Sequence, residues 1–252
     1  MTNSFDFNLR WVILGMAYLP VASCAFCILC TILTKSSLVY VAAMADCPES
    51  SSFPTVSVSI GPWEPQRLVW ITAMIIHAPM RLFVTVLYPT IWPQGKLRTA
   101  LFIALISEAT ATLLVTIFQV QSIAGEMMHA VCFTFWAFAT GATMLITLTL
   151  HKVYGREHMG SKSTIFGLFL LFALTCASAH PISTTFCIQW VYAIFCLSEY
   201  ALMISAAAFW VSVLKSLSFH FDRISINLCK TSQEEMLSTL ESSFTCQVDD
   251  KV

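Results

Sequence analysis

Long apolar runs, broken by short polar connections, set the pattern of this chain. Six stand out: Trp11–Thr34, Leu68–Tyr88, Thr99–Phe118, Met128–Leu150, Thr164–Ala179 and Ile188–Leu214. Crossing a hydrocarbon layer of about 30 Å takes about 20 residues at about 1.5 Å of helical rise each. The fifth run is short by that measure, and its end near Pro181 is the least defined boundary. Only Val56 to Ile60 departs from the pattern, with Ser57 and Ser59 alternating with apolar neighbours, which reads as a short strand or flap. The prediction is an all-α integral membrane protein, a six-transmembrane-helix bundle over residues 1–216, followed by a flexible tail over 217–252 with one short turn around Met236 to Leu240.

Composition agrees with that class. Hydrophobic residues make up 57% of the chain and charged residues 11%, and mean hydropathy is +0.76, far from the balance of a water-soluble domain. Basic residues fix the expected orientation. With all six runs kept as spans, Arg10, Lys96, Arg98, Lys152, Arg156, Lys162, Lys215, Arg223, Lys230 and Lys251 fall on one side, Lys35 and Arg67 on the other, and Arg81 inside a span. Both termini then face the cytosol. The first run is too long for the apolar region of a signal peptide, and Cys24 follows Val-Ala-Ser without a clear cleavage signature, so it is read as a retained span. The segment Lys35 to Arg67, rich in Ser and Pro, becomes a cap on the non-cytosolic side. Trp63 and Trp70 then mark the membrane interface at the entrance to the second span.

Charges inside the spans are the first sign of function. Arg81 lies one helical turn from His77 in the second span, Glu108 is central in the third and Glu199 in the sixth. A charge at a helix centre costs about 2.5 to 3.5 kcal/mol against lipid, so these three would cost about 8 to 10 kcal/mol unless turned inward, paired or left protonated. Two readings follow: a functional polar cavity, or a structural clamp between helices.

The cysteines separate by side. Cys47 and Cys187 lie in the two non-cytosolic connections and are the pair expected to form a disulfide; otherwise Cys187 is a buried thiol at the start of the last helix. Cys24, Cys27 and Cys30 lie within the first span without His or acid companions, so no metal site is expected there. Phosphate loops, HExxH, GxSxG, an acceptable Asn-x-Ser/Thr site, and His followed five residues later by Asp are all absent. No internal repeat is evident, and no basic patch with interleaved aromatics points to nucleic acid. No cofactor is implied.

Residues 47 to 81 carry a resemblance. The run Pro54-Thr-Val-Ser-Val-Ser-Ile-Gly61, then Glu64-Pro-Gln-Arg-Leu-Val-Trp70, then His77-Ala-Pro-Met-Arg81, resembles the post-GPI-attachment-to-proteins factor two family, within the wider FRAG/DRAM/SFK group of six-span proteins. Glu108, His129 with Phe133, Cys187, Val191-Tyr192, Ile194-Phe195 and Glu199-Tyr200 extend the similarity to about Phe209. The chain departs from the family's His-Ser-Ala-Pro-Arg order around Pro79, and Trp210 stands where the family has a histidine.

The resemblance implies maturation of glycosylphosphatidylinositol (GPI) anchors: reacylation of a lyso-GPI intermediate at sn-2 with a saturated chain, by the protein itself or with its help. The partners would be GPI-anchored proteins or lyso-GPI lipid, an acyl donor (acyl-CoA or phospholipid) and the bilayer, in the Golgi membrane or that of the endoplasmic reticulum. Acyl transfer needs a base for the acceptor hydroxyl and donors for the oxyanion. His77 is the first candidate base, oriented by Glu108 or Glu199, with Arg81 as charge stabiliser; His129, nearer the interface, is the alternative base. Arg67, with Gln66 beside it, would contact the inositol phosphate, or simply snorkel to the interface, and Ser57 and Ser59 would meet glycan hydroxyls or solvate the loop. Two non-acyltransferase readings stand beside this one: a membrane scaffold or regulator of lipid or autophagy machinery, and a proton-coupled carrier using Glu108 and Glu199.

Overall fold

The computed structural model describes residues 9–43, 53–118, 123–154 and 159–214. They form seven helices: α1 Leu9–Ala43, α2 Val56–Ile60, α3 Gln66–Leu87, α4 Lys96–Ile117, α5 Ile123–Val153, α6 Met159–Phe186 and α7 Gln189–Leu214. A 3-10 turn, Tyr88–Ile91, follows α3. All but α2 are long and apolar enough to cross a membrane, and no strand occurs among the described residues. Both expected boundaries of the tail domain, and the turn at Met236 to Leu240, lie outside the described residues.

Three local expectations are corrected. Residues 36–43 contain neither Pro nor Gly, and α1 continues through them, so the first connection begins after Ala43 rather than at Lys35. Val56 to Ile60 is helical despite its alternation, because the Thr55 hydroxyl caps the Val58 N–H at 3.0 Å and no neighbouring strand offers a ladder. The fifth span passes Pro181 and ends at Phe186. There the Ser183 and Thr184 hydroxyls donate to the His180 carbonyl at 2.8 and 3.0 Å, local bonding of the kind that lets a membrane helix carry a proline. Cys187, at φ 52°, then turns the chain directly into α7.

Helix periodicity explains which faces meet. Along α3 the buried positions are Gln66, Trp70, Ala73, Met74, His77, Arg81, Val84 and Thr85, a single stripe at three- and four-residue spacing. On α4 the stripe holds Leu101, Ala104, Leu105, Glu108, Ala109 and Ala111; its alanines allow close approach to α5, the most extensive pairing among helices α1 to α6. α1 packs on α3, where Met80 Sδ lies 2.9 Å from the place a Cβ on Gly15 would occupy. α6 is the most exposed of the six spans.

The buried core falls into three clusters among the described residues. One joins Met16, Tyr88, Trp92, Leu105, Met144, Phe209 and Trp210 toward the end where α1 begins. A second gathers Cys24, Cys27, Val56, Ile60, Trp70 and Met74 around α2. The third, Tyr192 and Cys196 with Phe195 and Tyr200 against them, lies on α7. Trp70 is thus an interior residue rather than an interface marker. α2 is re-entrant: a short helix set against the middle of α7, with Val56, Val58, Ser59 and Ile60 all buried. Irregular backbone at such depth is tolerated only where protein surrounds it.

Candidate functional site

Three residues on α7 hold the re-entrant segment in place. Cys196 Sγ donates to the Phe53 carbonyl at 3.5 Å, the Tyr200 hydroxyl donates to the Pro54 carbonyl, and Glu199 Oε2 accepts the Val56 N–H at 2.9 Å. Residues three and four apart share a helix face, so Cys196, Glu199 and Tyr200 present one polar edge to residues 53–56. Glu199 lies ten positions into α7, about 15 Å along its axis, which sets how deep α2 reaches.

That docking brings Ser57 to His129. Ser57 Oγ is 2.7 Å from His129 Nε2 and 3.4 Å from Glu199 Oε1. On the other side of the ring, His129 Nδ1 is 2.7 Å from the carbonyl of Phe118, the residue that ends α4. A carbonyl only accepts, so Nδ1 carries the proton and Nε2 presents its lone pair to the Ser57 hydroxyl. A hydroxyl on a base, with the base oriented by a third group, is the arrangement by which a weak oxygen nucleophile is activated.

A second polar group sits deeper. Arg81 forms an ion pair with Glu108, and Glu108 Oε1 accepts from the Thr140 hydroxyl at 3.1 Å. The guanidinium also lies 5.2 Å from the centre of the Trp210 ring, and its Nη1 approaches Met16 Sδ at 3.7 Å. These contacts join α1, α3, α4, α5 and α7. His77 is buried beside Arg81, with the Met16 backbone in hydrogen-bonding reach of its ring. Among the described residues it makes no hydrogen bond to Glu108 or Glu199.

Both groups border one cavity of about 100 Å³, whose wall includes Ser57, His129, Glu199, His77, Arg81 and Glu108. The residues expected in catalysis are therefore brought together, while the expected binding residues diverge. Gln66 is turned into the bundle, its side-chain amide donating to Thr31 Oγ1 at 3.4 Å, while its backbone carbonyl accepts from Cys27 Sγ at 3.3 Å. Ser59 is fully buried and donates to the Thr55 carbonyl at 2.9 Å. Arg67 borders a separate cleft between α3 and α4. Of the four, Ser57 alone reaches His129. The Phe118 carbonyl, Thr140 and Thr55 had no signal in the sequence, apart from Thr140 lying on the buried face of α5 that begins with His129.

Cys187 is disulfide-bonded, and the other six cysteines among the described residues are free. Cys47, its expected partner, lies outside the described residues. No group of His, Cys, Asp or Glu able to hold a metal ion occurs among the described residues.

Residues 8–218 match the family model described as Frag1/DRAM/Sfk1/Cwh43P N-terminal domain. The chain is also 26% identical over 222 residues, 81% of its own length and 86% of the relative's, to acyltransferase PGAP2 of Xenopus tropicalis. No solved structure matches it.

Proposed function

This chain belongs to the Frag1/DRAM/Sfk1/Cwh43P family, and from that premise we propose that it acts in GPI-anchor maturation, as an acyltransferase that reacylates lyso-GPI at sn-2. The observation that carries the chemistry is the 2.7 Å contact between Ser57 Oγ and His129 Nε2, with the ring held from behind by the Phe118 carbonyl. It replaces His77 with His129 as the base and gives Ser57 a reacting role instead of a glycan contact.

In this reading Ser57 Oγ adds to the carbonyl carbon of a fatty-acyl ester or thioester while its proton passes to His129 Nε2. The bond from that carbon to the donor's alcohol or thiol breaks, and the leaving group takes the proton from His129. The sn-2 hydroxyl of lyso-GPI then adds to the acyl-Ser57 carbonyl, giving its proton to His129. Collapse breaks the ester to Ser57 Oγ, which recovers that proton. Glu199 holds α2, and so Ser57, in register with His129. Arg81 and Glu108 fasten the helices around the site. The two amphiphilic substrates call for a centre near one membrane face and open to acyl chains, in a Golgi or endoplasmic reticulum membrane.

The test is GPI lipid composition by mass spectrometry in cells lacking their own family member. Wild-type chain should restore the diacyl anchor, while Ser57→Ala or His129→Ala at matched protein level should leave lyso-GPI. Failure of wild type to rescue would overturn the anchor-remodelling reading and favour a scaffold. Full rescue by Ser57→Ala would remove Ser57 from the chemistry.

A further inference from the structure

A second, larger cavity starts at the same place. It has a volume of about 860 Å³ and shares Ser57, His129, Phe133 and Glu199 with the smaller one, then runs between α5, α6 and α7. That volume falls in the usual range of ligand sites, about 300 to 1,000 Å³. Its polar groups gather at one end, with Thr55, Thr134, His180 and Thr184 near Ser57. Farther in, Gly141, Ala142, Leu145, Phe166, Phe169 and Leu170 supply only apolar surface. Such a gradient fits a molecule with a polar head and one apolar tail. A glycan or other polar ligand would lose its hydration in the deep half with no partner to replace it.

The long axis follows α5. From His129 to Leu145 is sixteen positions, about 24 Å of helix, against about 15 Å for one leaflet of a bilayer core. The wall toward the membrane is thin: Phe138 on α5 and Leu174 on α6 border the cavity while standing 75% and 70% exposed. α5 packs far less extensively on α6 than on α4. A chain lying among the lipids therefore enters sideways between α5 and α6, and its carbonyl end is delivered to Ser57.

We infer that this chamber holds the acyl chain being transferred, and that its depth sets the length of chain installed. The inference rests on the acyl-transfer reading above and adds the residues that measure the substrate. Gly141 is the informative position. A Cβ there would lie 3.5 Å from Phe169 Cε1, an ordinary contact, so the backbone accepts a side chain and anything larger than methyl projects into the chamber. It stands twelve positions from His129, about 18 Å along α5, four positions short of Leu145, the last α5 residue on the cavity wall.

The experiment expresses wild-type chain, Gly141→Leu and Leu145→Ala in cells lacking their own family member and reads the sn-2 chain lengths of GPI lipids by mass spectrometry. Gly141→Leu should shift the distribution to shorter chains, and Leu145→Ala, which trims the wall at the far end, should shift it to longer ones. A wild-type distribution from both variants, or a loss from Gly141→Leu that is uniform over all chain lengths with no shift from Leu145→Ala, overturns the chamber. Lyso-GPI persisting with wild-type chain would instead defeat the acyl-transfer reading on which the inference stands.

Discussion

Ser57 and His129 are 72 positions apart in sequence and meet at 2.7 Å, on a re-entrant helix and on the first turns of a membrane span. Glu199 accepts the Val56 N–H at 2.9 Å and so ties the start of α2 to α7. The hydroxyl has one proton, and the Phe118 carbonyl on Nδ1 reserves Nε2 to take it.

From this contact the first prediction follows. His129→Ala and Ser57→Ala should each lower the rate of lyso-GPI consumption in detergent-solubilised membranes by at least about a hundredfold, the range expected for removing a positioned base or its nucleophile. His77→Ala should lose much less, since its ring meets the Met16 backbone and no acid. A larger loss at His77 than at His129 would return the role of base to His77.

Ser57→Cys gives a direct view of the intermediate. A thiolate is also a nucleophile and forms a thioester, which neutral hydroxylamine cleaves. Acylation of the variant that is hydroxylamine-labile, and absent from the Ser57→Ala protein, is the expected outcome on intact-mass spectra. Turnover by wild type without any acylated Ser57→Cys would support direct transfer between lipids, with Ser57 only relaying a proton.

The spans were legible because lipid imposes one rule on backbone: twenty or so apolar residues with every N–H bonded inside the helix. The midplane charges were legible for the same reason, since Arg81 and Glu108 had to find partners away from lipid, and they found each other. What sequence hid was the re-entrant helix. Val56 to Ile60 alternates as a strand would, and its helical form comes from the Thr55 cap and from an acid 143 positions away from Val56. His77 drew attention through its spacing from Arg81, whereas His129 gains its partners from the end of α4 and from α2, neither of which any periodicity on α5 announces.

The clamp predicts strong non-additivity. Removing one member of a buried ion pair strands the other and costs about 3 to 5 kcal/mol, while replacing both with apolar groups is often near neutral. Arg81→Met and Glu108→Leu should each lower thermal stability in detergent markedly, and the double variant should recover most of the loss. Additive losses would mean that Trp210, Met16 and Thr140, rather than the pair itself, hold these side chains in place.

Glu199 predicts a difference between two substitutions. Gln keeps an oxygen for the Val56 N–H, whereas Ala leaves that donor buried without a partner, at a cost of about 1 to 3 kcal/mol. Glu199→Ala should therefore release α2. A Ser59→Cys reporter, buried in the native packing, should react with a maleimide much faster in the Ala background than in the Gln background. Equal protection in both would show that Cys196 and Tyr200 are enough to hold residues 53–57.

The disulfide at Cys187 bears on orientation. Disulfides persist in oxidising compartments, and Cys187 lies in the turn between α6 and α7, on the side where α2 enters the bundle. Under the orientation expected from the basic residues, the Ser57–His129 centre faces the lumen, on the side opposite to most of those charges. Non-reducing peptide mapping should recover Cys47 linked to Cys187, and an Asn-x-Ser acceptor inserted on a spacer in the α6–α7 turn should become glycosylated. A link to a cysteine of the carboxyl tail, or an unmodified acceptor, would turn the bundle over and leave the proposed Ser57–His129 centre facing the cytosol, away from lyso-GPI of a lumenal leaflet.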